Sequence, residues 1–365
     1  MNILYISCLS GKKSAGPNHS VPKQIKAQAK YDNVLWFNIN DLPKQQWNVD
    51  VNFVNTSMIP KACIEHLPIP FNRPDLAIFE SVYYLPYCKM AKELRRKKVP
   101  YIIIPRSSLT LAAQRAKALK KKIGNLVFFN EFIKNAAAIQ YLTVEEYKAS
   151  GSSWNKNAII IPNGAEPKTK TKVWPERDGL KGVYIGRMDI YQKGLDLLVE
   201  VCELLKAELK AANCSIVLYG PDRKGAKAVL KDLIAKKGLE ELIKIKDGIY
   251  DADKEAVLLD SDFFIMTSRF EGHPMALIEA FSYGLPCVVT AGTNMTDEIR
   301  QQDAGWTAEN TVDSIAQALK DLLDNIVKLP EKGRNALELA KQYDWDRLAE
   351  ISSMKYGEIV KGFSG

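Results

Sequence analysis

Short apolar runs alternate with longer amphipathic stretches along most of the chain. Nine of these runs have the length and composition of buried strands: NILYIS, NVLWFNI, VNFVN, LAIF, YIIIP, GVYIG, CSIVLYG, FFIMTS and PCVVT. Apolar residues at helical spacing predict helices at residues 21–30, 89–98, 194–211 and 224–237. Such alternation is typical of βαβ units, in which helices cover a sheet of buried parallel strands. We therefore expect an α/β fold.

The alternation pauses around residues 163–180. Prolines, an Asn-Gly pair and a polar basic run interrupt it there before a strand begins again. A chain of 365 residues is longer than one core usually supports. We expect two doubly wound Rossmann-like domains, residues 1–165 and 166–343, followed by an amphipathic helix at residues 344–365. Two such domains would face each other across a cleft, with ligands outside the carboxyl ends of the strands.

Charge is distributed unevenly between the two parts of the chain. Through Ala165 there are 23 Lys and Arg against 10 Asp and Glu, a net charge of +13, whereas the remainder has 28 against 33, a net charge of −5. A basic N-terminal part favours phosphorylated substrates, anionic lipid headgroups or nucleic acid as partners. No apolar run reaches the roughly 18 residues of a membrane span, and no signal peptide is recognisable, so we expect a cytoplasmic protein.

A glutamate inside an apolar helix is the most unusual local feature. In RFEGHPMALIEAF, a loop leads from the strand FFIMTS into a helix that begins near Pro274. Glu271 lies in this loop and Glu279 inside the helix, where an ionised carboxylate is costly without a partner. The unpaired N–H groups of the first turn, around Met275 and Ala276, form a site for an anion or a hydroxyl. The alternative is that Glu279 pairs with a nearby Lys or Arg for structure alone.

Two cations lie in another predicted strand-to-helix loop. In GVYIGRMDIYQKGLDLL, Arg187 follows the strand and Lys193 comes six residues later. A forked guanidinium and an ammonium in one loop suit a diphosphate, whose charge they neutralise as a leaving group departs. The alternative is a pair of solvated surface cations.

The loop after the first strand, SCLSGKKSAGPNHSVPK, contains glycines and a histidine. Gly16 lets the backbone approach a ligand closely, and Ser20 is expected to cap the following helix. His19 is either a surface loop residue or an acceptor contact. The loop lacks the glycine and Ser/Thr spacing of a P-loop, which argues against ATP hydrolysis of that kind.

Together these motifs resemble those of the retaining GT-B glycosyltransferases of family 4, the glycosyl transferases group 1. RFEGHPMALIEAFSYGLP is similar to the E-x7-E signature, GRMDIYQKGLDLL to the Arg…Lys-Gly segment, IIIPNGAE to the interdomain linker, VLYGPD to the next strand and loop, and YDWDRLAEISSMKYGEIV to the closing helix. The resemblance covers nearly the whole chain and is strongest over residues 157–362. It implies the GT-B fold, with the closing helix packing back toward the N-terminal domain.

The resemblance also implies roles for individual residues. Glu271 would contact hydroxyls of the donor sugar, and Glu279 would contact those of the nucleotide ribose. Arg187 and Lys193 would hold the diphosphate, which makes them catalytic candidates together with Glu271. The other donor-binding candidates are Gly16, Gly186, His273, Met275, Ala276 and Tyr250. Of these, Gly16 would let the backbone meet the phosphates, and Tyr250 would lie beside the base unless it is a surface aromatic residue.

One departure from the family pattern concerns the loop after YIIIP. Many relatives have a histidine there, near the reacting carbon, and the matching position in this chain is Arg106 in IPRSSLT. Arginine is not a base at neutral pH, which weakens a mechanism that needs the histidine. A front-face route, in which the departing phosphate accepts the acceptor proton, remains available. Arg106 would then orient an anionic group, or it forms a structural pair.

A basic stretch with aromatic neighbours lies in the N-terminal part. Arg115, Lys117, Lys120, Lys121 and Lys122 are followed by LVFF. A basic amphipathic helix beside apolar residues is typical of interfacial membrane contact, to which each cation near an anionic leaflet contributes roughly 1 kcal/mol. The alternative is a solvated helix face above a buried apolar stripe. Because such relatives often glycosylate lipid-linked acceptors, we favour peripheral attachment at the inner face of the cytoplasmic membrane.

The expected activity is that of a metal-independent, retaining hexosyltransferase without a cofactor. Its co-substrate would be a nucleotide diphosphate sugar, UDP-sugar rather than GDP-sugar. Its acceptor would be a glycan, lipid-linked, in capsule, exopolysaccharide or lipopolysaccharide assembly. Two alternatives stay open. One is a nucleic-acid-binding protein, although the chain has no nucleic-acid motif and none is expected to bind; the other is a different GT-B activity, such as a sugar-nucleotide epimerase or a phosphorylase.

Overall fold

The chain forms two compact units, which are described separately. The computed structural model describes residues 1–11, 16–47, 49–115, 118–151, 153–174 and 178–364. The N-terminal unit consists of Met1–Gly164 together with Trp345–Gly365, and the C-terminal unit of Ala165–Asp344. Of the predicted basic run, Lys117 lies outside the described residues. Among the helices described, none has both the length and the apolar character that crossing a bilayer requires.

The N-terminal unit is built on a parallel sheet of seven described strands. They are β1 (Asn2–Ser7), β2 (Asn33–Asn38), β3 (Asn52–Asn55), β4 (Leu76–Glu80), β5 (Tyr101–Ile104), β6 (Ala138–Tyr141) and β7 (Ala158–Ile160). Their order in the sheet is β3-β2-β1-β4-β5-β6-β7. The order reverses between β1 and β4, so two strand-to-helix loops diverge there.

Helices connect these strands. They are α1 (Pro17–Gln28), α2 (Leu85–Arg96), α3 (Leu111–Arg115), α4 (Ala118–Gly124), a π-helical turn (Asn125–Phe129), α5 (Asn130–Lys134) and α6 (Val144–Ser150). The prediction that Ser20 caps α1 is wrong, because the helix begins earlier, at Pro17, whose fixed φ suits a first helical position. Ser20 lies inside the helix and its Oγ donates to the Gly16 carbonyl oxygen (3.4 Å).

The C-terminal unit has a second parallel sheet, of six described strands. They are β8 (Leu180–Ile185), β9 (Cys214–Tyr219), β10 (Ile243–Lys246), β11 (Phe263–Met266), β12 (Cys287–Thr290) and β13 (Gly305–Ala308), in the order β10-β9-β8-β11-β12-β13. The order reverses between β8 and β11. Two parallel α/β sheets confirm the predicted fold class.

The helices of the C-terminal unit lie between its strands and after the last of them. They are α7 (Leu195–Leu204), α8 (Lys206–Ala211), α9 (Ala226–Lys236), α10 (Asp251–Asp260), α11 (Met275–Ser282), α12 (Thr296–Gln302), α13 (Val312–Asp324) and α14 (Leu329–Ala340). The single helix predicted over residues 194–211 is divided at Leu205, whose ψ of 23° is outside the helical range.

Both faces of the C-terminal sheet are covered, as period-two alternation along a buried strand requires. In β11, Phe263 packs into one apolar cluster and its neighbour Phe264 into another on the opposite face. The same separation holds in β8 for Tyr184 and Val183. The sheet is therefore buried on both sides, and polar groups that serve a ligand have to lie at its ends.

The C-terminal helix, α15 (Trp345–Ser364), belongs to the N-terminal unit. Its Tyr356 is fully buried, and the Tyr356 hydroxyl donates to Gln140 Oε1 of β6 (2.5 Å). Near the start of the helix, Lys30 Nζ lies 2.7 Å from Asp346 Oδ1. The last twenty residues of the described chain thus complete the core that the first 164 residues begin.

Candidate functional site

A buried ion pair links two loops at the carboxyl edge of the C-terminal sheet. Lys193 Nζ lies 2.5 Å from Glu271 Oε1, and the two side chains are only 10% and 9% exposed. Lys193 lies in the loop after β8, and Glu271 lies in the loop after β11. Because β8 and β11 flank the reversal of strand order, the pair lies where open α/β sheets bind their ligands.

A close approach of the two backbones positions this pair. Gly194, directly after Lys193, has φ +59°, and a Cβ there would lie 1.9 Å from the Thr267 carbonyl oxygen. The Thr267 hydroxyl in turn donates to the Gly194 carbonyl oxygen (2.8 Å), and Ser268 Oγ donates to Glu271 Oε1 (2.7 Å). Only glycine fits this contact, which explains the Lys-Gly pair in the sequence.

Further side chains hold the Glu271 loop from outside. Asn294 Nδ2 donates to the Glu271 carbonyl oxygen (2.7 Å). Arg269 forms two hydrogen bonds with Asp196 of α7 (2.7 and 2.8 Å), and this bonding raises the pKa of the guanidinium. The loop after β11 is therefore fixed to the helix that follows Lys193, which keeps both charged groups in place.

Arg187 lies at the mouth of the same loop, directly after Gly186. The Tyr184 hydroxyl donates to the Arg187 carbonyl oxygen (2.9 Å), and burial, reinforced by the Glu271 charge, raises the pKa of Tyr184 well above its ordinary value. A Cβ at Gly186 would lie 2.5 Å from the Tyr184 hydroxyl oxygen, so a larger residue there would displace this buried side chain. The guanidinium of Arg187 is half-buried and makes one long contact with Gln192 (3.5 Å) in the described part of the chain. It therefore retains donors for an anion.

The start of α11 supplies backbone donors beside Glu271. The first helical hydrogen bond is made by the Leu277 amide with the Pro274 carbonyl oxygen (3.0 Å). The preceding amides, of Met275 and Ala276, have no acceptor among the residues described, and both residues are half-exposed. They keep the unpaired N–H groups of a first helical turn. The predicted donor-binding residue His273 is 8% exposed and packs its ring against Tyr343 (5.4 Å between centroids).

Glu279 lies on the half-exposed face of α11, not among its buried residues. Its Oε2 lies 2.6 Å from Lys254 Nζ of α10, and its Oε1 lies 3.9 Å from Lys168 Nζ. The pairing of Glu279 with lysines is what the alternative structural role of this glutamate requires. Lys254 was not predicted from the sequence, although it is the single cation of α10, DADKEAVLLD. Tyr250 directly precedes that helix and is half-buried.

The other predicted site residues lie in the N-terminal unit. Gly16 is at the start of α1 with ordinary helical dihedral angles, and among the described residues no non-adjacent atom lies within 4 Å of the position its Cβ would take. A close approach of a ligand at Gly16 would therefore not depend on an unusual φ. His19 is exposed on the first turn of α1, not in a loop as expected.

The Arg106 side chain is 8% exposed, and its guanidinium is hydrogen-bonded inside the N-terminal unit. Nε lies 2.7 Å from Glu80 Oε2, Nη1 contacts Asn163 (3.0 Å) and Ser20 (3.2 Å), and Nη2 contacts Gln24 (2.8 Å). Its φ of +49° is unusual for a residue with a side chain. These partners match the structural alternative for Arg106. Glu80 was not predicted from the sequence. Its position at the carboxyl end of β4, which pairs with β5, could have indicated it as a candidate.

Metal ligands are not assembled in the described part of the chain, where no group of three or more His, Cys, Asp or Glu could hold an ion. The positive charge of the C-terminal site comes instead from Lys193, Arg187 and the helical amides. A site of this kind suits an anionic ligand with several oxygens.

Solved glycosyltransferase structures have the same fold. Sucrose-phosphate synthase from Thermosynechococcus elongatus matches over 99% of this chain and 100% of its own, with a TM-score of 0.74 and 15% identity. The Anabaena protein Alr3699/HepE, in complex with UDP and glucose, matches over 98% of this chain and 100% of its own, with a TM-score of 0.71 and 16% identity. The architecture is thus the GT-B fold.

Sequence comparison adds a family match within the C-terminal unit. Residues 169–340 match the family Glycosyl transferases group 1, just under half of the chain. The GDP-mannose:cellobiosyl-diphosphopolyprenol alpha-mannosyltransferase of Komagataeibacter xylinus is 27% identical over 180 residues, which are 48% of this chain and 44% of that protein. The chain therefore spans less than half the length of this relative. The family match contains the Lys193–Glu271 pair, Arg187 and all of α11.

Proposed function

We propose that this protein is a retaining glycosyltransferase that moves a hexose from a nucleotide diphosphate sugar to a glycan acceptor. The observation that carries the proposal is the buried Lys193–Glu271 pair at the reversal of strand order in the C-terminal unit. A buried ammonium and carboxylate side by side suit a ligand with a phosphate next to a sugar. The family match over residues 169–340 supports the same activity.

Positive charge around the diphosphate would stabilise it as a leaving group. Lys193 donates one hydrogen bond to Glu271 and has further N–H groups for phosphate oxygens. Arg187 and the amides of Met275 and Ala276 add fixed donors, whose effect on developing charge is large because they need no reorganisation. We propose that these groups make transfer independent of a metal ion.

Glu271 would bind the sugar through its second carboxylate oxygen. Oε1 accepts hydrogen bonds from Lys193 and Ser268, whereas Oε2 has no partner among the described residues and remains an acceptor for a hydroxyl. Glu279, next to the first turn of α11, would accept the ribose hydroxyls, and Tyr250 would lie beside the base. Lys254 would then hold the Glu279 carboxylate in position.

Transfer with retention needs no protein base in this proposal. The acceptor hydroxyl oxygen forms its bond to the anomeric carbon on the face from which the diphosphate oxygen departs. The hydroxyl proton passes to that departing oxygen, and a nucleoside diphosphate is released. Arg106 does not act as the base, because a guanidinium has hydrogen-bond donors but no acceptor, and this one is paired with Glu80.

The donor and acceptor are proposed from relatives. Alr3699/HepE is solved with UDP and glucose, and we favour a UDP-sugar for this chain. The Komagataeibacter relative uses GDP-mannose and a diphosphopolyprenol acceptor, so GDP is the competing base. A lipid-linked acceptor would place the reaction at the cytoplasmic face of a membrane, in the assembly of a surface polysaccharide.

A ligand-binding screen tests the proposal. We expect UDP or GDP, with or without sugars, to raise the unfolding temperature, since a ligand at 100 times its dissociation constant stabilises by about 2.7 kcal/mol. Glu279→Ala should weaken nucleotide binding roughly tenfold or more, because a hydrogen bond to a charged group contributes about 1.5–3 kcal/mol. Glu240→Ala, an exposed glutamate of the same unit, is the matched control and should change nothing.

Several outcomes would contradict the proposal. Absence of saturable binding of every nucleoside diphosphate would reject it. If Glu279→Ala and Lys254→Met lower stability equally and leave nucleotide affinity unchanged, Glu279 has the structural role instead. Transfer releases nucleoside diphosphate only when an acceptor is present, and this requirement separates it from epimerase or phosphorylase activity. We expect EDTA to leave the release unaffected. Salt-sensitive binding to nucleic acid without nucleotide binding would favour the nucleic-acid alternative.

A further inference from the structure

Apolar side chains are exposed along one face of the helical segment at residues 118–134. Leu119, Ile123, Leu126 and Val127 are 74%, 56%, 78% and 59% exposed. Their spacing of i, i+4, i+7 and i+8 places them on one helical face. The first part of this segment, α4, has no buried residue at all. We name these four residues the apolar stripe.

The π-helical turn contains the end of the apolar stripe and the start of a second, buried apolar face. From the last residue of this turn onward, Phe129, Phe132 and Ile133 are 7%, 3% and 0% exposed and belong to the core of the N-terminal unit. A π-helical turn changes the phase of a helix, and such turns are frequent at functional sites. The segment therefore buries one apolar face in its own unit and presents another to the outside.

Side-chain contacts hold this segment in place. Asn125 Nδ2 donates to Gln114 Oε1 (3.1 Å), and Gln114 Nε2 donates to the Tyr83 hydroxyl oxygen (2.7 Å). Lys121 Nζ donates to the Ala113 carbonyl oxygen (2.5 Å) and lies 5.0 Å from the centre of the Tyr83 ring. The apolar stripe is thus fixed to the unit at defined points.

The surroundings of the apolar stripe are strongly basic. Residues 85–134 contain 13 Lys and Arg but only 2 Asp and Glu. Lys120 and Lys122 are exposed within the segment itself. Helix α2 packs beside the π-helical turn, and its Lys92, Arg95 and Arg96 line an open hollow of about 400 Å³ with Glu131. One carboxylate among three cations leaves this hollow positively charged.

We propose that the apolar stripe inserts into the interface of a bilayer that contains anionic lipids, while the neighbouring cations contact the lipid phosphates. Charge decides between a bilayer and a protein partner. Lysines are depleted in the centres of protein interfaces, whereas beside a bilayer they extend to the headgroups while aliphatic residues enter the acyl boundary. This inference rests on the proposed function, because an enzyme that uses a lipid-linked acceptor has to contact the membrane that holds it. The partner it names is the anionic bilayer.

Vesicle binding of the whole 365-residue chain tests the inference. We expect flotation with vesicles of phosphatidylglycerol and phosphatidylcholine, no flotation with phosphatidylcholine alone, and weaker binding at higher salt. Leu126→Gln combined with Val127→Gln should lower partition into the anionic vesicles roughly tenfold or more, because the buried apolar area is lost. Val173→Gln combined with Val327→Gln removes two valines of the C-terminal unit that are 80% and 88% exposed, and this control should bind as before.

A second pair of variants tests the cations. Lys120→Gln combined with Lys122→Gln should lower partition by about fivefold for each charge removed. Lys148→Gln combined with Lys156→Gln removes two exposed lysines of the same unit outside the segment at residues 118–134, and this control should change partition less. Unchanged unfolding temperatures would show that all variants are folded, which is expected for exposed positions.

Three results would overturn the inference. The first is wild-type protein that does not float with anionic vesicles. The second is binding that the apolar-stripe variant leaves unchanged. The third is a dimer in sedimentation velocity that the apolar-stripe variant dissociates, which would assign the face to a second copy of the chain. Because nucleotide binding is measured without vesicles, the proposed function and this inference can fail separately.

Discussion

At the residue scale, Arg106 is the group whose removal the N-terminal unit should tolerate least. Its side chain and that of Glu80 are 8% and 1% exposed, so the pair is screened little by solvent. Arg106→Met would leave Glu80 charged and buried without its partner. We expect a loss of about 3–5 kcal/mol in the free energy of unfolding, measured by denaturant titration.

A surface pair and a double variant make this prediction specific. Arg300→Met removes an ion pair with Asp297 in which the side chains are 64% and 67% exposed, and it should cost less than about 1 kcal/mol. Adding Glu80→Leu to Arg106→Met removes the stranded charge and should recover much of the loss. Equal effects of Arg106→Met and Arg300→Met would show that Arg106 does not stabilise the N-terminal unit. The alternative, that Arg106 orients an anionic group of a ligand, would then be favoured.

At this scale, the sequence could indicate which loops contain charged side chains. It could not indicate which side chains pair with each other. Lys193 and Glu271 were each selected from strand-to-helix loops, but they are 78 residues apart and no local pattern pairs them. Glu279 and Lys254, and Arg106 and Glu80, are likewise joined only by the fold. The order of strands in the sheet, which sequence periodicity does not contain, determines which loops become neighbours.

At the element scale, most central strands were recognisable from the sequence, whereas three of the four edge strands were not. All nine predicted strands are present, whereas β6, β7, β10 and β13 were missed. Three of these lie at the edges of their sheets. In β10, IKIK, half of the residues remain polar, and β13, GWTA, begins with glycine. β6 is central but contains the buried polar residue Gln140, so its apolar run is interrupted.

The polar residue in β6 forms a hydrogen bond with the C-terminal helix. Gln140 is 1% exposed, and it receives a hydrogen bond from the Tyr356 hydroxyl across 216 residues of chain. Tyr356→Phe would leave the Gln140 oxygen buried without this donor. We expect a loss of about 1–3 kcal/mol in the free energy of unfolding, again by denaturant titration.

Replacing both partners distinguishes this hydrogen bond from a packing effect. Tyr356→Phe combined with Gln140→Leu should be more stable than Tyr356→Phe alone and close to the wild type, because no polar group is then stranded. Tyr31→Phe, at a tyrosine that is 43% exposed, is the control and should change stability little. If Tyr356→Phe is as mild as Tyr31→Phe, the hydrogen bond to Gln140 does not hold α15 in place.

At the scale of the whole molecule, the two units differ in charge. Residues 345–365 contain three Lys and Arg and three Asp and Glu, so adding α15 leaves the N-terminal unit at +13 and the C-terminal unit at −5. The basic unit contains the apolar stripe, and the acidic unit contains the Lys193–Glu271 pair. An anionic surface therefore attracts the first unit and repels the second, which favours membrane contact through the N-terminal unit.

The units also have separate apolar cores, which predicts separate unfolding. Gly194→Ala should destabilise the C-terminal unit by more than the roughly 1–2 kcal/mol of a left-handed conformation, because the new Cβ would overlap the Thr267 carbonyl oxygen. Gly225→Ala is the matched control, since Gly225 has φ +78° but its Cβ would meet no non-adjacent atom of the described residues within 4 Å. Arg106→Met should destabilise the N-terminal unit only.

Hydrogen exchange resolved along the sequence would measure this independence. Gly194→Ala should speed exchange in buried strands of residues 165–344 and leave those of residues 1–164 unchanged, and Arg106→Met should do the reverse. In the double variant the two losses should add, because the residues belong to different cores and share no partner. Faster exchange in both units after either substitution would mean that the chain unfolds as one cooperative body. A nucleotide bound by the C-terminal unit would then slow hydrogen exchange in the N-terminal unit as well.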